Sequence, residues 1–311
     1  MNRYFAVAVL LVLCSFFTVA VWLIFCVRFD GLNLEKSPVY PKSEARTYFR
    51  DTRQELTVYH VQGNEPGPTL LIIAGIHGDE AGGYLTAERY VDLKLKRGKL
   101  IVVPRLNGPA IEAGKRCGLG GDMNRLFNLP PDHSNPDTKV VNLAKQLIRQ
   151  ADYVLNLHQG YDFFNPRWIS PKRNPTKWGQ SNVIDTATYH LPDGQKLELG
   201  NYAERVVRRI NGRIPDRDYH FAVNNTNTSN KRSLHKEQRG SLTYYSLFDQ
   251  QKFALGLEAT KNCSLADAVT YLTIAVNAAI EEAGIHAEVL PLPADPPGLR
   301  FPGKPRQRGQ S

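Results

Sequence analysis

His77-Gly78-Asp79-Glu80 sets an imidazole and a carboxylate three residues apart in a turn of small residues. At that spacing both side chains can point at one spot, and a nitrogen donor beside an oxygen donor is a pairing that zinc accepts. A second histidine, His158, ends the apolar run Tyr153-Val154-Leu155-Asn156-Leu157. Three such ligands leave one position open, which is the coordination of a catalytic rather than a structural zinc. Glu258 lies inside another apolar run, residues 253–260. A buried carboxylate is costly unless paired or neutral, and burial lifts its pKa toward the range of a general base acting on metal-activated water. Asn124-Arg125 follows a glycine-rich connection, with Lys115-Arg116 ahead of it. A guanidinium grips a carboxylate through two parallel hydrogen bonds, and the neighbouring amide adds a donor. Taken singly, each residue also fits a solvated turn, a satisfied strand-end histidine or a surface arginine; their joint occurrence favours a site.

Strands must deliver these groups. Residues 69–74 read as a buried strand that stops at Gly75. The rim where such strands end is where open α/β sheets hold ligands. Residues 56–61 alternate like an edge strand, 64–68 read as a turn, 82–95 as a helix beginning beside the metal, and 100–104 as a short buried strand. Helical spacing recurs over 138–149, 197–210 and 265–283. The stretch 163–181, with Trp168 and Trp178, is a loop that either shapes a cleft or packs on the domain. Residues 224–230 form a polar loop, and Tyr244 and Tyr245 are substrate contacts or, as is commoner, core residues. The fold class is α/β: a mixed, largely parallel twisted sheet with flanking helices.

A length of 311 residues with 42% hydrophobic content allows one large or two small domains. The net charge of +9 is spread along the chain, and no zinc-finger spacing or aromatic-basic array accompanies it, which argues against nucleic acid as a partner. An anionic cell-surface polymer or a membrane surface suits the charge. Residues 4–27 are almost unbroken apolar sequence between Arg3 and Arg28, long enough for a bilayer core that takes about 20 residues. With no small-residue cleavage site after it, this stretch reads as an uncleaved transmembrane signal anchor, N-terminus inside. The expected organisation is an anchor over 1–28, a linker over 29–54, a catalytic domain over 55–288 and a disordered tail over 289–311. Four cysteines are too few for a disulfide scaffold; Cys117 and Cys263 could bridge across the site or stay as free thiols.

The ordered set His77-x-x-Glu80, Asn124-Arg125, His158 and Glu258 resembles the zinc carboxypeptidase superfamily, which includes the aspartoacylase and succinylglutamate desuccinylase deacylases. Within it, Gly75-Ile76-His77-Gly78-Asp79-Glu80-Ala81-Gly82-Gly83 and Leu257-Glu258-Ala259-Thr260-Lys261-Asn262 are similar to the signatures of bacterial murein DL-carboxypeptidases that trim peptidoglycan tripeptides and set helical cell shape. The resemblance covers roughly residues 55–285. It implies Zn2+ on His77, Glu80 and His158, a carboxylate clamp at Asn124 and Arg125, Glu258 as base, and Arg116, ahead of Lys115, as the group that polarises the scissile carbonyl. It further implies a peptide substrate, a peptidoglycan stem peptide, met in the periplasm by a membrane-anchored enzyme. Two departures stand out: some of those enzymes carry Gln at the first ligand position, and they carry further C-terminal β domains. A small-molecule deacylase of the aspartoacylase type is the runner-up, and a non-catalytic wall-binding protein on the same scaffold is the third reading.

Overall fold

The computed structural model describes residues 43–287. The expected anchor (1–28) and tail (289–311) lie outside the described residues. Among the described residues no helix is long and apolar enough to cross a membrane.

The strands of the main sheet are β1 Glu44–Tyr48, β2 Leu56–Gln62, β3 Glu65–Ala74, β4 Leu95–Val103, β5 Tyr153–Gly160, β6 Ser181–Ile184, β7 Ala222–Asn225, β8 Phe253–Thr260 and β9 His286–Ala287. Their order is β1-β2-β4-β3-β5-β8-β6-β7, and β9 pairs with β4. The four central strands β4, β3, β5 and β8 run parallel. So do β6 and β7. The pairs β1–β2, β2–β4, β6–β8 and β4–β9 are antiparallel, so the sheet is mixed, with its long parallel ladders at the centre.

Both faces of the central strands are covered, which is why they read as continuous apolar runs. Leu70, Ile72, Leu155, Leu157, Leu255 and Leu257 pack under the helices α1 Ala81–Ala87, α4 Leu199–Asn211 and α5 Leu265–Glu282. Leu71, Ile73, Val154 and Ala254 face the opposite way, into a core shared with α3 Thr138–Gln150, Met123 and Phe127. Strand periodicity assigns these faces: successive side chains alternate, so Asn156 and His158 share the face of Val154, and Gly256 and Glu258 that of Ala254.

Several sequence readings need correction. Strand β1 lies inside the stretch taken as a linker, so β2 is not an edge. Its side chains are half-buried or exposed, and backbone pairing rather than apolar pattern makes it a strand. Of the expected turn over 64–68, residues 65–68 open β3, with a register irregularity between Glu65 and Thr69 against β4. The helix expected over 82–95 ends at Ala87, continues as a 3-10 turn over Glu88–Tyr90, and gives Leu95 to β4. Asn224 and Asn225, the first residues of the expected polar loop 224–230, instead end β7 and pair with β6.

The turn after β3 depends on glycine. Gly75 has φ +67°, a conformation costly for residues with a Cβ. Gly78 sits against the backbone of helix α2 Gly108–Ala113, where a Cβ would overlap the Ala110 carbonyl, and its N–H donates to Lys115 O, in the loop after that helix, at 2.9 Å. Gly78→Ala must therefore move the backbone that carries His77. It is expected to lower the melting temperature, overpacking costing about 1–3 kcal/mol or more, and to weaken metal binding in the same titrations.

Candidate active site

Three parallel strands bring the site together at their C-terminal ends. Ala74, the last residue of β3, pairs with Leu157, so His158 stands one residue beyond the end of β3. Glu258 of β8 is the register partner of His158. The turn beginning at Gly75 carries His77, and Glu80 takes the N-cap position of α1.

His77 Nδ1 lies 2.8 Å from Glu80 Oε1, and His158 Nδ1 lies 2.8 Å from Glu80 Oε2. The three potential ligand atoms lie within 4.8 Å of one another, and all three residues are buried. Two imidazole nitrogens and a carboxylate oxygen are a donor set that suits zinc. On its far side His77 Nε2 is 3.1 Å from Asp122 Oδ1. A carboxylate behind a ligating imidazole fixes its tautomer and orientation. Asp122 also accepts from the Asn124 backbone N–H at 3.0 Å and from Arg116 Nε and Nη2 at 3.1 and 3.0 Å. One carboxylate thus ties the first ligand, the clamp turn and the mouth arginine together. The sequence reading passed over Asp122; its signal was the carboxylate two positions ahead of Asn124.

The electrostatics follow from this packing. Burial pulls the His77 pKa down, but the Asp122 and Glu80 hydrogen bonds outweigh it and raise it to about 9. Burial likewise opposes ionisation of Glu80, yet the two histidines hold it well below the usual carboxylate range. Asp122 is depressed for the same reason, by His77 and Arg116 against burial. Glu258 goes the other way: burial first, then the Glu80 charge, raise it to about 8. Two carboxyls in one cleft are thus pushed in opposite directions, a pattern in which one can serve as a ligand and the other as a base.

All the expected site residues, His77, Glu80, His158, Glu258, Arg116, Asn124 and Arg125, line one cleft of about 340 Å³. Asn124 is buried and accepts from Leu242 N at 3.0 Å; Arg125 Nη1 donates to Asn124 O at 2.8 Å. These bonds fix the orientation of both side chains. Arg116 stays half-exposed at the mouth, 3.6 Å from Glu80 Oε1. Lys115 contributes only its backbone carbonyl, to Gly78. Tyr244 and Tyr245 do not line the cleft and pack, tilted, against Phe248 and Phe127. Cys117 and Cys263 are both free. The Cys263 thiol is spent on the Thr260 carbonyl, at 3.2 Å. Trp178, of the aromatic loop, does line the cleft, as do Lys261 and Asp79, an ion pair at 2.7 Å that joins the metal turn to the end of β8.

Beside the cleft, Asp185 is buried without a cation; burial raises its pKa to about 6, opposed only by the hydroxyls of Thr228 and Thr243. Its folded pKa lies above the unfolded value of 3.8, so its contribution to stability is complete below pH 3.8 and lost as the pH rises through 6. Asp185→Asn is therefore expected to melt higher than the parent at pH 8, and not at pH 4, in paired thermal scans.

Comparison with known proteins bears on this arrangement. The family described as the carboxypeptidase controlling helical cell shape, catalytic, matches residues 50–289. The chain belongs to that family. The cell shape determinant Csd4 of Helicobacter pylori, in a tripeptide-bound crystal structure, is similar over 76% of this chain and 57% of its own, at 28% identity and a TM-score of 0.70. Its mDAP-bound form, described as a D,L-carboxypeptidase, is 30% identical over 73% of this chain and 53% of its own, with a TM-score of 0.67. The chain thus spans little more than half the length of these structures. The N-alpha-acetyl-L-2,4-diaminobutyric acid deacetylase of Halomonas elongata is 38% identical over 100 residues, 30% of this chain and 29% of that protein.

Proposed function

We propose that this chain is a zinc-dependent carboxypeptidase that hydrolyses the C-terminal amide bond of a peptide, and that the peptide is a peptidoglycan stem peptide. One observation carries the reading: the Asn124-Arg125 clamp opens into the same cleft as the His77, Glu80 and His158 ligand set and the raised carboxyl of Glu258. A site that grips a free carboxylate beside a metal and a base acts on the bond next to a chain end. The stem-peptide assignment draws on the tripeptide and mDAP ligands of the Csd4 structures.

Zinc on His77, Glu80 and His158 would supply Lewis-acid activation of water and of the scissile carbonyl. Asn124 and Arg125 hold the terminal carboxylate and set the distance from chain end to bond. Glu258 takes the proton of the attacking water and returns it to the leaving amine. Arg116, at the mouth beside Glu80, meets the negative charge that develops on the carbonyl oxygen. Asp122 keeps His77 and Arg116 in register during these charge changes. The proposal includes a periplasmic setting, with residues 4–27 as a single membrane anchor; its support is that apolar run and the basic composition.

The identity shared with the Halomonas deacetylase favours a second reading, removal of an acyl group from a small amino acid. Incubating the zinc-loaded full chain with muropeptide tripeptides and with N-acylated amino acids separates the two. Mass spectrometry should find one C-terminal residue released from the tripeptide, and a chelator should abolish the release. Cleavage of the acylamino acid alone would move the protein to the deacylases, and no turnover of either with zinc bound would reject both.

A further inference from the structure

The loop after β5 leaves the cleft at Tyr161 and returns to it at Trp178, both of which line it. Between them the loop builds one wall of a second groove, with Phe164, Pro166 and Pro175. Leu234 and His235, from the loop after β7, form the other wall. The groove holds about 440 Å³, within the range of about 300–1,000 Å³ usual for ligand pockets. It shares a partition with the cleft: the Trp178 ring meets the His235 ring edge-on at 5.2 Å, Trp178 lining the cleft and His235 the groove. Both walls are tied by their own bonds. Asn174 Nδ2 donates to the Ser170 and Pro171 carbonyls at 2.9 and 3.0 Å, and its Oδ1 accepts from the N–H and hydroxyl of Thr176 at 2.9 and 2.7 Å. Opposite, Ser233 Oγ donates to Thr226 O at 2.8 Å and accepts from His235 N at 3.1 Å. A ligand therefore has little loop ordering to offset.

The chemistry of the groove narrows its occupant. Leu234 is 91% exposed; Trp168 and Ile169, at the tip that follows Pro166, are 65% and 58% exposed. Open apolar side chains gathered beside one groove are the pattern of an interaction site. Among the described residues that line it, none is an acid, a lysine or an arginine, and Asn225 and His235 are among its polar members. An ionic ligand finds no partner there. Apolar faces beside uncharged amide and hydroxyl groups suit a ligand with an apolar face and neutral hydrogen-bonding edges. A pyranose ring that bears an N-acetyl group has both. An anionic bilayer would meet Arg167, Trp168 and Ile169 at the tip but leave the groove without a role.

We propose that this groove binds the N-acetylated sugars of a glycan strand, so that the protein holds the polymer here while a stem peptide enters the cleft across Trp178. The second half of the assignment rests on the carboxypeptidase reading, because a peptide end held at Arg125 is what brings the attached polymer to the cleft rim. The catalytic steps above use none of the groove residues. The consequence is a preference for a peptide still joined to its sugars over the same peptide set free.

Two measurements on the full chain test this. The first is calorimetric titration with chitotetraose, an uncharged oligomer of N-acetylglucosamine, and with cellotetraose, which lacks the acetamides. Chitotetraose should bind more tightly by about ten-fold, the scale of a pair of neutral hydrogen bonds. The second is kcat/KM of the zinc-loaded chain for one stem tripeptide, free and attached to its N-acetylated disaccharide. The attached form should be preferred by about the same ten-fold factor. Leu234→Ser removes an open apolar contact, and Asn225→Asp removes amide donors while keeping the oxygen that accepts from Asn227 N. Each should cut both ratios several-fold; as each ratio is taken within one protein, a loss of folded fraction cancels. No binding of chitotetraose, or ratios unchanged in both variants, overturns the assignment. A chain that ignores chitotetraose but loses affinity for phosphatidylglycerol vesicles on Trp168→Ala overturns it too, and makes the tip a membrane contact. Chitotetraose binding with no hydrolysis of either peptide would leave the groove's role standing and remove the carboxypeptidase reading instead.

Discussion

Replacing Glu258 by Gln is expected to lower kcat by about three orders of magnitude, within the range found for removal of a general base, and to leave zinc stoichiometry unchanged. Glu258 is not among the converging ligand atoms, so the metal should bind without it. The variant keeps the size of the side chain and removes its ability to take a proton. A second signature is independent of turnover. In the metal-free protein the Glu258 pKa stands near 8, above its unfolded value of 4.5, because burial and the Glu80 charge disfavour its ionised form. Its contribution to stability is therefore complete below pH 4.5 and fades as the pH rises through 8. Gln cannot ionise, so the metal-free variant should match the parent at pH 4 and melt above it at pH 9. Hydrolysis at the parental rate with zinc bound would assign the base elsewhere.

Arg125→Ala is expected to reduce kcat/KM by about two to three orders of magnitude, since breaking a buried, hydrogen-bonded charge pair costs about 2–5 kcal/mol. The loss should disappear when the substrate is amidated at its C-terminus, because the amide gives Arg125 no charge to hold. Lysine at 125 should recover only part of the activity: a point charge replaces a planar fork, and the Nη1 bond to Asn124 O loses its geometry. Steady-state kinetics on matched acid and amide peptides read both outcomes. Equal losses on both would make Arg125 a structural residue.

Much of this site can be read from the sequence because its groups follow strong local signals. His77, His158 and Glu258 each stand in or just past a run of buried β-formers, and strand runs are set by composition over a few residues. Asp122 carries no such mark. It matters because the fold brings it to His77 across 45 positions. That meeting joins two turns distant in the chain, which composition does not encode. The same reason hid β1, whose only strong tie is its backbone ladder with β2. The early end of α1 is a matter of packing: Tyr90, fully buried, places its hydroxyl on Thr273 O and Asn277 Oδ1, and the chain must turn there to return as β4.

The pairing of β5 with both β3 and β8 joins strands that are made at different times. Synthesis runs from the N-terminus, and His77, Glu80 and His158 are all available once β5 has emerged and found β3. Glu258 leaves the ribosome much later, on the strand that docks against the opposite edge of β5. The three proposed ligands are therefore all encoded ahead of the proposed base, and the strand that carries Glu258 is the last of the four central strands in chain order.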